Sequence, residues 1–245
     1  MPSFTVIVPA LNEEQNLRPA VEEILKEIGP LSTFLEVLVF DDASTDRTGE
    51  IADGLALQDG RVRVFHNSRR LNIGGVYKAG VKAARGDYVF LVPGDNEVRV
   101  DEIARGIQCL NRADLVVFYV TNIRVRAWAR RVLSRLYVWV VNLLFRTQFL
   151  YTNGTNIFRT DVIRHVHIRT DGFAYQTEAV VKAVWSGVNF AHVGIEIQTR
   201  DFGTSKAISW KNFKSVAVAL LQLWWDFKVK ERHRYRHRGR MLGIF

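Results

Sequence analysis

Short β-branched runs alternate with helix-length segments through the first hundred residues, and almost every run ends in acidic or amide side chains. Residues 4–8, Phe-Thr-Val-Ile-Val, form the first run and close at Pro9. Asn12 is then expected to cap a helix through about residue 28, with Glu13 and Glu14 in its first turn. Residues 35–40 repeat the strand pattern and end in Asp41-Asp42-Ala-Ser-Thr-Asp46, with a helix expected over 47–57. A third strand over 62–67 leads through Asn72-Ile-Gly74-Gly75 into a helix that stops near Gly86. A fourth, over 87–92, runs straight into Pro93-Gly94-Asp95-Asn96-Glu97. Strands separated by helices in this way predict an α/β fold with a largely parallel, doubly wound central sheet. Ligands of such sheets bind beyond the carboxyl ends of the strands, where these acids fall.

The glycines do not make a dinucleotide or phosphate loop. The first strand ends in Pro-Ala-Leu-Asn-Glu-Glu, with no G-x-G-x-x-G, and Gly74-Gly75 comes two strands too late. A nucleotide would therefore be held by carboxylates, a cation and arginines. Turn and cap chemistry is the plainer use of the same acids, and at any single position it serves equally well.

Composition narrows the partners. The 245 residues carry 34 Lys+Arg against 25 Asp+Glu, a formal net charge of +9, and 48% are hydrophobic. That excludes intrinsic disorder as the main state. The one cysteine, Cys109, excludes an internal disulfide framework and a zinc ribbon. The opening MPSFTVIVPALNEEQ has no basic n-region, so a cytoplasmic location is expected. The longest uncharged apolar runs, 136–145 and 215–225, are about half of the ~20 residues a spanning helix needs.

The positive charge is unevenly placed. No acidic residue lies between Leu115 and Thr160, whereas Arg124, Arg126, Arg130, Arg131, Arg135, Arg146 and Arg159 all do. Trp128, Leu133, Leu136, Trp139, Val140, Leu143 and Leu144 interleave with them, the pattern of an amphipathic segment resting in a bilayer interface. A core helix with a solvated basic rim has the same apolar stripe. Residues 210–229 form a second amphipathic candidate, either interfacial or dimerising. A polybasic tail follows, with six cations from Lys230 to Arg240 against Glu231. Its arginines follow no nucleic-acid-binding spacing, so no specific nucleic acid is expected. His165, His167 and His192 lack a second ligand at metal-binding spacing and are read as structural.

The ordered set Val-Ile-Val-Pro9-Ala-Leu-Asn12-Glu13-Glu14, Asp41-Asp42-Ala-Ser44-Thr45-Asp46-x-Thr48, Asn72-x-Gly74 and Ala83-Ala-x-Gly86-Asp87 resembles the family 2 glycosyltransferases of the GT-A fold. Ser134-Arg135, Gly172-Phe173 with Glu178, and Arg200-x-x-Gly203-x-Ser205-Lys206 before an apolar helix bring it nearest the polyprenyl-phosphate glycosyltransferases, the dolichol-phosphate mannose synthase group. The resemblance implies an inverting, metal-dependent transfer from a UDP- or GDP-sugar to a polyprenyl phosphate. It implies nucleotide contacts from Pro9, Asn12, Glu14, Asp41, Asp42, Gly74 and Gly94. It places the metal loop at 93–97, with Asp95 as the second aspartate of a D-x-D and Glu97 as a further ligand for Mg²⁺ or Mn²⁺. Pro93 stands where the first aspartate is usual. Asp95, Glu178 and Arg124 are the implied catalytic residues, and Arg126, Arg135, Arg200, Ser205 and Lys206 the implied contacts to the acceptor phosphate.

The expected layout is a GT-A catalytic domain over 1–208, including the basic amphipathic segment 124–149, then an amphipathic helix over 209–230 and a basic tail over 231–245. The expected partners are a nucleotide-sugar donor, a polyprenyl-phosphate acceptor, an anionic membrane surface met peripherally from the cytoplasmic side, and a second copy of the chain. A saccharide or other lipid acceptor, or a catalytically silent nucleotide-sugar binder that Pro93 would permit, are the alternative readings.

Overall fold

The computed structural model describes residues 1–95, 98–110, 113–125, 128–197, 210–230 and 237–245. The expected alternation is present. In chain order the elements are β1 (Ser3–Ala10), α1 (Leu17–Ile28), β2 (Phe34–Asp41), α2 (Thr48–Gln58), β3 (Val62–His66), α3 (Asn72–Ala83), β4 (Tyr88–Leu91) and α4 (Val100–Ile107). The second half adds β5 (Leu115–Val120), α5 (Trp128–Phe145), β6 (Asn156–Arg159), α6 (Thr160–Arg164), α7 (Tyr175–Trp185), β7 (Phe190–Ile195), α8 (Trp210–Trp225) and β8 (Met241–Ile244).

One eight-stranded sheet runs in the order β3-β2-β1-β4-β6-β5-β7-β8. Only β6 is antiparallel to its neighbours, so β1, β2, β3, β4, β5 and β7 all deliver their carboxyl ends to one edge. Strand side chains alternate between two buried layers. Phe4, Val6 and Val8 pack with α1 and α4, whereas Ile7, Leu38 and Leu91 pack with α3 and α7.

Four differences from the sequence expectation have identifiable physical causes. Asn12 does not cap α1, which starts five residues later. Its backbone is left-handed, φ 56°, a conformation asparagine tolerates, and its side chain reaches the next loop instead. The helix expected over 210–229 changes to a π-helical turn at Asp226–Lys230. That turn buries Asp226 against the Arg169 guanidinium, 2.7 and 2.8 Å, and sets Phe227 edge-on to Phe145 and Trp185. The C-terminal segment is not only a basic tail: residues 241–244 extend the sheet as β8 beside β7. Finally, β6 and α6 form from a stretch with no strand-length apolar run, because open sheet positions on β4 and β5 take up its backbone hydrogen bonds.

The α3–β4 connection shows how closely the layers meet. Gly86 crosses β1 with its amide donated to Thr5 Oγ1 at 2.9 Å. A Cβ there would lie 2.5 Å from the Phe4 carbonyl carbon and 2.7 Å from the Thr5 nitrogen. Backbone cannot move aside as a side-chain tip can. Gly86→Ala is therefore expected to cost at least about 2 kcal/mol, within the range for overpacking, read as a lower urea midpoint with unchanged m value.

Candidate functional site

The site is built on backbone amides that leave the sheet without a strand partner. At the carboxyl edge the loop after β1 and the loop after β2 satisfy each other. Asn12 Oδ1 accepts from the Thr45 amide at 2.8 Å, and Ser44 Oγ accepts from the Asn12 amide at 3.1 Å. The Glu13 amide donates to Thr48 Oγ1, the Glu14 amide to Asp46, and the Arg47 amide to Glu14 Oε2. Asp42 is the most occupied: Oδ1 accepts from the Leu71 amide and Asn67 Nδ2, and Oδ2 from the Asn72 amide, all within 3.0 Å. It thereby fixes the entry to α3.

Asp41 ends β2 with Oδ1 on the Ser44 amide at 3.0 Å and Oδ2 3.2 Å from His66 Nδ1. Burial pushes its carboxyl up, but the hydrogen bonds of Ser44 and His66 outweigh that and hold it below the usual value. The loop after β4 leans on the same edge. The Gly94 amide donates to the Pro9 carbonyl at 3.1 Å, bringing the buried Asp95 beside the end of β1. Three of the four described non-glycine residues with positive φ, Asn12, Ala43 and Asn72, border this edge. Left-handed backbone costs an alanine such as Ala43 roughly 1–2 kcal/mol and an asparagine less, so what strain there is gathers where the loops converge.

The expected residues therefore divide. Pro9, Asn12, Glu14, Asp41, Asp42, Gly94 and Asp95 are gathered at one edge. Arg124 follows β5 in a 3₁₀ turn at that same edge and is exposed, as is Arg135 on α5. Gly74 packs closely against segment 170–171. Its amide donates to the Asp171 carbonyl, and a Cβ would meet the Thr170 carbonyl oxygen at 2.5 Å. Glu97, Arg126, Arg200, Ser205 and Lys206 lie outside the described residues.

Glu178 sits apart from the acidic loops, buried on α7. Its Oε1 accepts from the Arg169 amide and from Lys182 Nζ, and its Oε2 from the Thr170 amide. Lys182 is fully buried and also donates to the His167 carbonyl at 2.7 Å. Desolvation raises the Glu178 carboxyl, but Lys182 and the amides bring it below its ordinary 4.5. This geometry gives Glu178 a holding role on segment 167–170.

A polar loop that the sequence reading passed over completes the edge. In Thr152-Asn153-Gly154-Thr155-Asn156, Thr155 Oγ1 donates to the Leu91 carbonyl, and Thr152 and Asn153 both bond Thr177 Oγ1. Tyr137 of α5 donates to the same Thr177 oxygen at 2.7 Å. Asn156 Oδ1 and Tyr77 Oη have no hydrogen-bond partner among the described residues and line a cavity of ≈ 10 Å³ with Leu91, Tyr175 and Gln176. A run of five small polar residues after Phe149-Leu-Tyr was the available signal.

Comparison with known proteins follows the same lines. The model of the family described as Glycosyl transferase family 2 matches residues 5–172. Polyprenol monophosphomannose synthase of Mycolicibacterium smegmatis is 30% identical over 214 residues, covering 82% of this chain and 79% of that protein. Glycosyltransferase AglD of Haloferax volcanii is 25% identical over 239 residues, 93% of this chain, and the match spans only 38% of AglD. Among solved structures, glucosyl-3-phosphoglycerate synthase from Mycobacterium tuberculosis, crystallised with Mn²⁺, UDP and phosphoglyceric acid, superposes with TM-score 0.64 at 18% identity, covering 91% of this chain and 78% of that one. That likeness is one of fold, and the fold is the expected GT-A arrangement.

The buried pair on α7 makes a direct test. Lys182→Met would leave the buried Glu178 carboxylate without its countercharge and with only two backbone amides, at a cost of about 3–5 kcal/mol, whereas Glu178→Gln with Lys182→Met should recover much of it. Because Glu178 is held below 4.5, its contribution is present above that pH and lost as pH falls through the folded value. Denaturant titrations of the unaltered chain and the two variants at pH 7 and pH 4 read both effects.

Proposed function

The chain belongs to glycosyl transferase family 2, and from that premise we propose that it moves a sugar from a UDP- or GDP-sugar to a polyprenyl phosphate at a membrane surface. One observation carries the membrane and acceptor part of this reading. Along α5, Trp128, Val132, Leu136, Trp139 and Leu143 recur at helical spacing with their side chains exposed, Trp128 to 71% and Leu143 to 64%. The opposite stripe of the same helix, Tyr137, Val141 and Phe145, packs into the core. A helix apolar on both faces has its outer face suited to a bilayer interface, and the exposed Arg135 beside it suits anionic headgroups. Leu221, Trp225 and Val229 on α8 and the turn after it are exposed as well. Among the described residues no helix is long and apolar enough to cross a membrane.

The donor would lie over the carboxyl edge, its base and ribose against Pro9, Asn12, Glu14, Asp41 and Asp42, and its diphosphate against Asp95. Among the described residues no three His, Cys, Asp or Glu side chains are grouped to hold a metal ion. Asp95 is a hard oxygen donor in the expected loop, whereas Pro93 offers no side-chain ligand. A Mg²⁺ or Mn²⁺ ion, when bound, would neutralise charge on the leaving diphosphate, and Asp95 with Glu97 would share it with the donor's own phosphate oxygens. The acceptor phosphate is already ionised and serves as its own nucleophile, so attack opposite the leaving group inverts the anomeric carbon without a strong base. Arg124, Arg126 and Arg135 would hold that phosphate on the membrane side, with Arg200, Ser205 and Lys206 as the further expected contacts to it.

Two measurements test the reading. Asp95→Ala is expected to lower transfer from UDP- or GDP-sugars to undecaprenyl or dolichyl phosphate by roughly 100-fold or more. Unchanged turnover would remove Asp95 from the chemistry, and nucleotide binding without any turnover in the unaltered chain would favour the silent binder that Pro93 permits. Trp139→Glu with Leu143→Glu is expected to reduce binding to phosphatidylserine-containing vesicles by roughly tenfold or more. Loss of dimer in place of loss of vesicle binding would assign the stripe to a second copy of the chain.

A further inference from the structure

We propose that His66 is a positioning residue for the donor site, an imidazolium bridged between Asp41 and Asp53 that fixes the Asp41 carboxylate. The register of the β2–β3 ladder places Asp41 directly beside His66. From there His66 Nδ1 lies 3.2 Å from Asp41 Oδ2, and Nε2 lies 3.0 Å from Asp53 Oδ1 on α2. An ionised carboxylate only accepts hydrogen bonds, and a neutral imidazole has one N–H and one lone pair. Both contacts are hydrogen bonds only when both ring nitrogens carry protons. In the neutral ring one carboxylate would face a lone pair.

The surroundings are shaped for this bridge. Helix α2 passes with Gly49 at the contact, where a Cβ would sit 3.0 Å from Asp41 Oδ2 and 3.5 Å from the imidazole ring. The other Asp41 oxygen is held by the Ser44 amide, and its carbonyl accepts from the Asn67 amide. His66 thus controls the one carboxylate oxygen that backbone does not already fix. Asp53 from α2 and Asp41 from β2 are the charged groups that act on the ring, in that order, and they raise its pKa above the ordinary 6.5. Half of the His66 side chain is exposed, so protons exchange freely with solvent.

The sign follows from that direction. A histidine with a raised folded pKa holds its bridge fully below 6.5 and loses it as pH climbs through the folded value. The role in donor binding rests on the reading above that Asp41 meets the nucleotide base, so the experiment separates the two. In the full chain, His66 is titrated by NMR, and UDP and GDP affinities are measured by calorimetry between pH 6 and 8.5 for the unaltered protein, His66→Gln and Asp53→Asn. His66 should titrate above 6.5, and Asp53→Asn should bring it down. Nucleotide Kd should rise roughly 3- to 10-fold over the alkaline limb, a slope absent in His66→Gln, whose defect falls on donor KM. A His66 pKa at or below 6.5, or an unchanged pH slope in His66→Gln, would overturn the proposal. Failure of every form to bind either nucleotide at any pH would overturn the donor reading and the role of His66 toward a base, leaving the titration to decide the bridge by itself.

Discussion

Parallel strands that end together leave their next few amides without a strand to bond, and a buried amide without a partner costs free energy of the order of a lost hydrogen bond. Seven strands of this sheet run to one edge, and six of them continue there into loops, so the problem is concentrated there. The chain solves it with short anionic and amide side chains. Asn12 takes the Thr45 amide, Glu14 the Arg47 amide, Asp41 the Ser44 amide and Asp42 those of Leu71 and Asn72. The acids proposed to meet a cation-bearing nucleotide are thus the same groups that hold the loops of this edge in place. The two uses are compatible, since each carboxylate has about four acceptor sites, but they tie ligand geometry to loop geometry. Left-handed backbone at Asn12, Ala43 and Asn72 is the local strain that such interlocking sustains.

The first half of the fold was legible because its strands are β-branched runs bounded by turn residues, and a run such as residues 35–40 has no other good use. The second half was less so. The β6 strand, Asn156–Arg159, is four residues of mixed character. It exists because β4 and β5 offer it hydrogen-bonding edges on both sides. Likewise β8 follows a run of arginines, and only the open edge of β7 organises it. Pairing partners of this kind are non-local, and no window of sequence contains them. The π-helical turn at Asp226 has the same origin, since its partner Arg169 lies 57 residues away.

At the site, residue types were legible and their assignments were not. An aspartate after a strand reads the same whether it caps a turn or meets a ligand, and Asp42 proves heavily engaged in capping. Gly74 stood out as part of a motif, yet its small size is used to let segment 170–171 approach α3. Glu178 was noticed as an acid opening a helix, but burial beside Lys182 one turn later decides its role. That i,i+4 pair was visible in the sequence. Its burial was not, because nothing local says that both faces of α7 are covered.

Two hydrogen-bond systems flank the edge, and they differ in how they respond to protons. On the α2 side, His66 links Asp41 to Asp53 through an imidazole whose pKa the two carboxylates raise above its ordinary value. On the α5 side, Tyr137 reaches Thr177, Thr152 and Asn153 through hydroxyls and an amide alone. Burial pushes the Tyr137 phenol up to about 12, so it remains a neutral donor at any pH the folded chain meets. The helix bearing the exposed tryptophan stripe is therefore joined to the polar loop 152–156 by contacts that pH does not loosen, whereas the end of β2 is held by one that it does. Any acid–base sensitivity of this edge should then enter from the side proposed for the donor, with the side facing the exposed α5 stripe acting as the fixed frame.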